Sequence, residues 1–209
     1  MLLTLAAILF ETIAFEVIKR LTFSSSVILI LNVFIGVALV EESLKFFAVK
    51  ERILNDPEFD EPVDAMIYMI VAALGFAAAE NFLILLSAGN HGFATIKFLF
   101  SLKPFLWQEI FKISLLRFLG ATFLHALAAA IVGFFIGLSF FEIEKRRKLI
   151  PTGLGLAVLL HGFYNFSIIK IEEGWNILIP FFLLLISAVF VSYGFNKLKQ
   201  IAISNEQAQ

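Results

Sequence analysis

The chain has 209 residues, 60% of them hydrophobic and 16% charged, with a mean hydropathy of +0.95. Soluble domains are about half apolar and a quarter charged, so an integral membrane protein is expected and a soluble one excluded. A formal net charge of −1 leaves no basic footprint for nucleic acid, and the absence of cysteine removes disulfides, thiol catalysis and thiolate metal ligands.

Spans of about 20 residues would consume most of this length. The sequence therefore predicts an all-α fold, a polytopic transmembrane helical bundle of about six spans plus one interfacial helix, in one domain over residues 1–209. The first predicted span is Met1 to Ile18, closed by Lys19-Arg20, with an interfacial helix that keeps both its acids in the headgroups as the alternative its length permits. It lacks the basic n-region and small-residue cleavage site of a signal peptide. Its two acids, Glu11 and Glu16, are five apart and read as capping or lateral-packing residues.

Ser24-Ser25-Ser26 opens a second helix, expected from Val27 to Leu54, whose apolar run passes directly into Glu41-Glu42-Ser43-Leu44-Lys45. An ion at the centre of a bilayer helix costs about 2.5–3.5 kcal/mol on insertion scales, so such groups face a protein interior or a wet cavity. Glu41 and Lys45 share a helix face at i, i+4, while Glu42 points about 100° away; the spacing predicts a Glu41–Lys45 pair that leaves Glu42 out. A loop with Pro57 and Pro62 then leads to a third span, Val63 to Leu86, with Asp64 in its first turn, where the helix dipole favours an acid. The small residues Ala72 to Ala79 predict close packing against another helix, which would carry Glu80 and Asn81 into the bundle.

Residues 88 to 114 mix Lys97, Lys103, Glu109 and Lys112 with apolar residues and read as an amphipathic surface helix or re-entrant segment, with His91 solvated in a turn. The fourth span, Leu115 to Phe141, holds Arg117 near one end and His125 deep in apolar sequence. Its Gly133-x-x-x-Gly137 is a close-packing signal. The fifth, Leu149 to Ile169, places His161 near its middle and Asn165 one turn on. The sixth, Asn176 to Phe195, has no ionisable residue and reads as a lipid-facing wall. Lys50, Arg52, Lys145 to Lys148, Lys197 and Lys199 then fall on one side, which the positive-inside rule makes cytoplasmic together with both termini.

Glu41, Glu42, Glu80, His125, His161 and Asn165 are thus isolated polar groups on four helices. Brought together, they would supply carboxylates for general-base work, imidazoles to orient water or accept protons, and an amide donor for a developing oxyanion.

Glu41-Glu42-x-x-Lys45, Gly75-Phe76-x-x-x-Glu80-Asn81, Arg117-x7-His125-Ala126 and His161-Gly162-Phe163-x-Asn165, in that order over residues 36 to 170, resemble the successive motifs of the PrsW family of intramembrane proteases. That family is distantly related to the CAAX prenyl protease and bacteriocin-processing enzymes. The resemblance implies a multi-pass protein of a prokaryotic cell membrane. It implies hydrolysis of a peptide bond in a membrane-anchored protein, such as an anti-sigma-factor-like regulator, without a metal. By motif, Glu41 would be the base on water with His125 helping to hold it. His161 and Asn165 would stabilise the oxyanion, and Glu42, Lys45, Glu80, Asn81 and Arg117 would support them. Burial disfavours an ionised carboxylate, so a cation such as Lys45 or Arg117 would keep Glu41 usable. The rival readings are a zinc-dependent protease using the same Glu and His residues, a proton-coupled transporter and a membrane scaffold.

Overall fold

A computed structural model describes residues 2–52, 59, 61–87, 111, 115, 117–171 and 175–207. The expected amphipathic segment 88–114 and His91 lie outside the described residues, apart from Phe111 in a helical conformation. Helix α1 spans Leu2–Lys19. A continuous helical rod follows, made of α2 (Ser25–Leu31), a π-helical segment (Asn32–Leu39) and α3 (Val40–Arg52). Helix α4 spans Asp64–Ser87. A second π-helical segment (Phe118–Thr122) leads into α5 (Phe123–Phe141), a 3₁₀ turn (Ile143–Lys145) into α6 (Arg146–Lys170), and α7 spans Trp175–Glu206.

Local chemistry accounts for the starts and stops. Ser24, in extended conformation, precedes α2, and its carbonyl accepts from Ile28 N–H at 3.0 Å. Asp64 Oδ2 accepts the Glu61 N–H at 3.0 Å, so the acid expected in the first turn of α4 also satisfies a donor ahead of that helix. Glu142 leaves helical geometry at φ −116°, ψ 64° and ends α5.

Five described helical stretches are long and apolar enough to cross a bilayer: Ser25–Glu51, Asp64–Ile84, Phe118–Phe141, Ile143–Lys170 and Ile177–Ser204. Helix α1 is not among them; with three charges in 18 residues it lies along the first π segment and α3. Its buried residues are Thr4, Ala7 and Ile18.

Helix α5 is the axis of the bundle. Of its membrane-length window 72% is buried, against 22% for α4 and α7, and it packs on α4, α6 and α7. Glycine makes this approach possible. A Cβ on Gly133 would stand 2.5 Å from Met66 Cα and 2.6 Å from the Ala65 carbonyl oxygen, and one on Gly137 would stand 2.6 Å from the Pro62 carbonyl oxygen. Backbone meets backbone there, as expected for small-residue packing in lipid. On α4 the inward face is Ala73, Phe76 and Ala77, whereas Gly75 has open space at its Cβ position; the small stretch is a packing face on one side only. Gly133→Val is expected to destabilise the fold by about 3 kcal/mol or more, since overpacking costs about 1–3 even where side chains can yield. Gly75→Ala should leave thermal unfolding in detergent unchanged.

The sixth predicted span needs revision. Helix α7 extends through Glu206, and Ser187, Val191 and Leu198 are buried against α5 and α6. Only its other face, with Phe182, Leu185, Ile186 and Val189 exposed, suits lipid. At 1.5 Å per residue, 32 residues reach about 48 Å, more than the hydrocarbon core needs.

Candidate active site

The two π segments stand just ahead of the two polar clusters: Asn32–Leu39 before Glu41 and Glu42, Phe118–Thr122 before His125. A π turn holds more residues than an α turn and so rotates the next stretch of helix about its axis, which is one reason such segments accompany functional sites. Here both polar clusters turn inward. Glu41, Glu42 and Lys45 are buried, as are His125 and His161.

Lys45 is the hub. Its Nζ donates to Glu42 Oε1 at 2.7 Å and to His125 Nδ1 at 2.7 Å, and lies 3.5 Å from Glu41 Oε2. The pairing expected from sequence is thus reversed, with Glu42 the tighter partner. The reason is geometric: residues at i, i+3 are helix neighbours just as those at i, i+4 are, so Lys45 stands angularly between the two acids. The Phe76 ring lies under the ammonium, 4.7 Å from Nζ to centroid.

An ammonium has no acceptor, so His125 Nδ1 must accept, which puts the ring hydrogen on Nε2. That Nε2–H donates to Glu80 Oε2 at 3.0 Å. Glu80 also receives Arg117 Nη2 at 3.1 Å. Arg117 Nε donates to Asn81 Oδ1 at 2.6 Å, and Asn81 Nδ2 donates to Thr122 Oγ1 at 3.0 Å. A line of bonds thereby ties α3, α5, α4 and the second π segment together, with each donor matched to an acceptor. Arg117 serves Glu80 and not Glu41, and both nitrogens of His125 are committed.

His161 arrives from α6. A Cβ on Gly162 would stand 2.3 Å from Phe34 Cδ1, so the missing side chain lets α6 lie against the first π segment. His161 Nδ1 then donates to Glu42 Oε1 at 2.8 Å, and its ring meets that of His125 edge-on at 5.1 Å. Nε2 of His161 takes no bond among the described residues. Asn165 is half-buried one turn on and likewise makes no hydrogen bond among the described residues. The structure therefore gathers Glu41, Glu42, Lys45, Glu80, His125 and His161 by direct contact, with Arg117 and Asn81 behind Glu80, and leaves Asn165 beside the cluster.

Two side chains near the site are not evident from sequence. The Glu11 carboxyl lies beside that of Glu41 and within electrostatic range of Glu80 and His161, while Glu16 is exposed and 4.0 Å from Lys19. A signal exists for the first: Glu11 continues the stripe of Thr4, Ala7 and Ile18, the buried side of α1. Tyr164, buried at 6% exposure, places its hydroxyl over Gly120, and nothing in its spacing distinguishes it from a core aromatic.

Two acceptors are left over. Glu41 Oε2 and Glu42 Oε2 are buried with no hydrogen-bond partner among the described residues, and such orphans are rare unless they have work to do. Ligand-type atoms of Glu41, Glu42, His125 and His161 all lie within 4.8 Å of one another.

A family model described as PrsW family intramembrane metalloprotease matches residues 1–193. Among curated proteins, the chain is similar to "Protease PrsW" of Geobacillus kaustophilus, 31% identical over 151 residues that cover 72% of this chain and 57% of the relative. Its counterparts in Bacillus subtilis and Clostridioides difficile are 30% and 27% identical, covering 73% and 70% of this chain and 61% and 55% of the relatives. The chain thus spans about 55–61% of the length of these relatives. No solved structure matches.

Proposed function

The chain belongs to the PrsW family of intramembrane metalloproteases, and from that premise we propose that it hydrolyses a peptide bond of a membrane-anchored protein by water activated at Glu41. The observation that carries this reading is the orphaned Glu41 Oε2. Glu42 is held by Lys45 and His161 and Glu80 by His125 and Arg117. Glu41 Oε2 has the Lys45 ammonium at 3.5 Å and His125 Nδ1 at 3.7 Å but accepts no hydrogen bond among the described residues, so it has a lone pair free to face water.

In this mechanism Glu41 Oε2 takes a proton as the water oxygen bonds to the scissile carbonyl carbon, whose π electrons move to oxygen. Collapse of the tetrahedral centre breaks the C–N bond, and the Glu41 proton passes to the leaving amine. His161, when protonated, turns Nε2–H toward the oxyanion with Glu42 as its counter-ion, and the Asn165 amide is the second donor. His125 positions the site by holding Lys45 and Glu80 in place. Because a carbonyl inside a helix is already bonded, the substrate span must unwind locally to present it. A single-span regulatory protein of the anti-sigma-factor kind fits this requirement.

The family's description implies a metal. Glu and His are suitable zinc ligands, but their arrangement does not fit one. Tetrahedral zinc at about 2.0–2.1 Å from each ligand would set them about 3.3–3.5 Å apart. Here the spread reaches 4.8 Å, and the Lys45 ammonium stands 2.7 Å from two of the four residues. The proposed mechanism accordingly uses no metal. By the distribution of Lys and Arg, the C-terminus lies on the cytoplasmic side of a prokaryotic cell membrane; the N-terminus would join it there only with α1 as a sixth span, since the five described membrane-length stretches alone leave the two ends on opposite sides.

Quantitative proteomics of host cells carrying Glu41→Gln in place of the wild type tests the activity. Accumulation of one or a few single-span membrane proteins is expected. An unchanged set of membrane proteins would remove proteolysis and favour a transporter or scaffold.

A further inference from the structure

The Lys45 side chain is wholly enclosed, and its ammonium touches Glu42 Oε1, His125 Nδ1 and, more loosely, Glu41 Oε2. Three of the four residues whose donor atoms converge there are thus facing a cation supplied by the protein itself. Two of their carboxylate oxygens remain buried and take no hydrogen bond among the described residues. We propose that Lys45 is the resident cation of this cradle and keeps divalent ions out of it, so that removing the lysine charge converts Glu41, Glu42, His125 and His161 into a zinc-binding site.

The physical grounds are charge and space. With Lys45 present, two carboxylates face one ammonium, and His125 Nδ1 has its lone pair in use. Without it, two buried carboxylates are left with no cation at hand, which is a costly state. His125 Nδ1 is released, and the room left by a lysine side chain lets the four donors draw in from their present spread. A borderline ion that accepts carboxylate and imidazole together meets all three changes. The inference rests on the metal-free reading of the wild type, but it concerns binding, and its test reads binding directly.

Full-length wild type, Lys45→Arg and Lys45→Met, purified in detergent on a tag without histidine, are incubated with Zn²⁺, desalted and assayed for metal per chain and for thermal unfolding. Lys45→Met should retain about one zinc per chain and gain thermal stability from it, as structural zinc does; the wild type and Lys45→Arg should retain almost none. Recovery of Lys45→Met only from cells grown with added zinc would support the proposal equally. If Lys45→Met cannot be recovered at all, Glu41→Gln/Lys45→Met sheds one carboxylate with the lysine and still offers Glu42, His125 and His161. It should load zinc where Glu41→Gln alone does not. A folded lysine-free variant that stays empty overturns the proposal and leaves the metal-free reaction untouched. Wild type that loads one zinc per chain also overturns it; if chelation then leaves cleavage intact, only the exclusion fails, and if cleavage stops, the metal-free reading fails with it.

Discussion

Glu41→Gln is expected to abolish cleavage, by about 10³-fold or more, while membrane insertion and yield stay at wild-type levels. The amide keeps the shape of the side chain but cannot take up the proton of water. Its electrostatic surroundings tolerate the change, because Lys45 keeps Glu42 at 2.7 Å as a counter-ion and the cluster loses one buried negative charge. The loss should therefore lie in kcat and not in the amount of folded protein. Residual activity within about tenfold of wild type would be too much for a lost general base and would move that role to Glu42 or Glu80.

His161→Ala and Asn165→Ala should each slow cleavage by about 10²–10³, the range for loss of one oxyanion donor. The two are not equivalent in the resting fold. His161 is bonded to Glu42, so its removal also loosens Glu42, and unfolding measurements should show some destabilisation. Asn165 makes no hydrogen bond among the described residues, so its substitution should leave stability alone and act only on the reaction. Wild-type rates in both variants would mean that the polar face of α6 is structural. A lower rate in His161→Ala alone would leave Nε2 of that ring as the single donor.

Much of this arrangement is legible in the sequence because membrane sequences make polar residues conspicuous. A carboxylate, imidazole or guanidinium flanked by Phe, Leu and Ile has few places to go, so Glu41, Glu42, Glu80, Arg117, His125 and His161 identify themselves. Gly133-x-x-x-Gly137 likewise declares the backbone contact that α5 makes with α4. What the sequence does not disclose is connectivity. Face arithmetic assigns Lys45 to Glu41, yet i, i+3 and i, i+4 are both within reach and the π turn ahead of α3 adds a rotation that straight-helix angles omit. His125 looks free to hold water, and only the positions of Lys45 and Glu80 on other helices reveal that both ring nitrogens are used. Glu11 looks bland because its role depends on which helix α1 packs against. Helix α7 runs past its expected end because polar residues beyond Phe195 can continue a helix once it leaves lipid.

The most direct test is the rate at which the purified chain cleaves a single-span protein, one that accumulates in Glu41→Gln cells, before and after exhaustive treatment with a strong divalent-metal chelator. Peptide hydrolysis by Glu41 and water, with Lys45 and Arg117 as the cations of the cluster, predicts an unchanged rate and far less than one zinc per chain. Loss of cleavage on chelation, with recovery when zinc is restored, would contradict it and recast Glu41 as a metal ligand or as the base of a metal-assisted reaction.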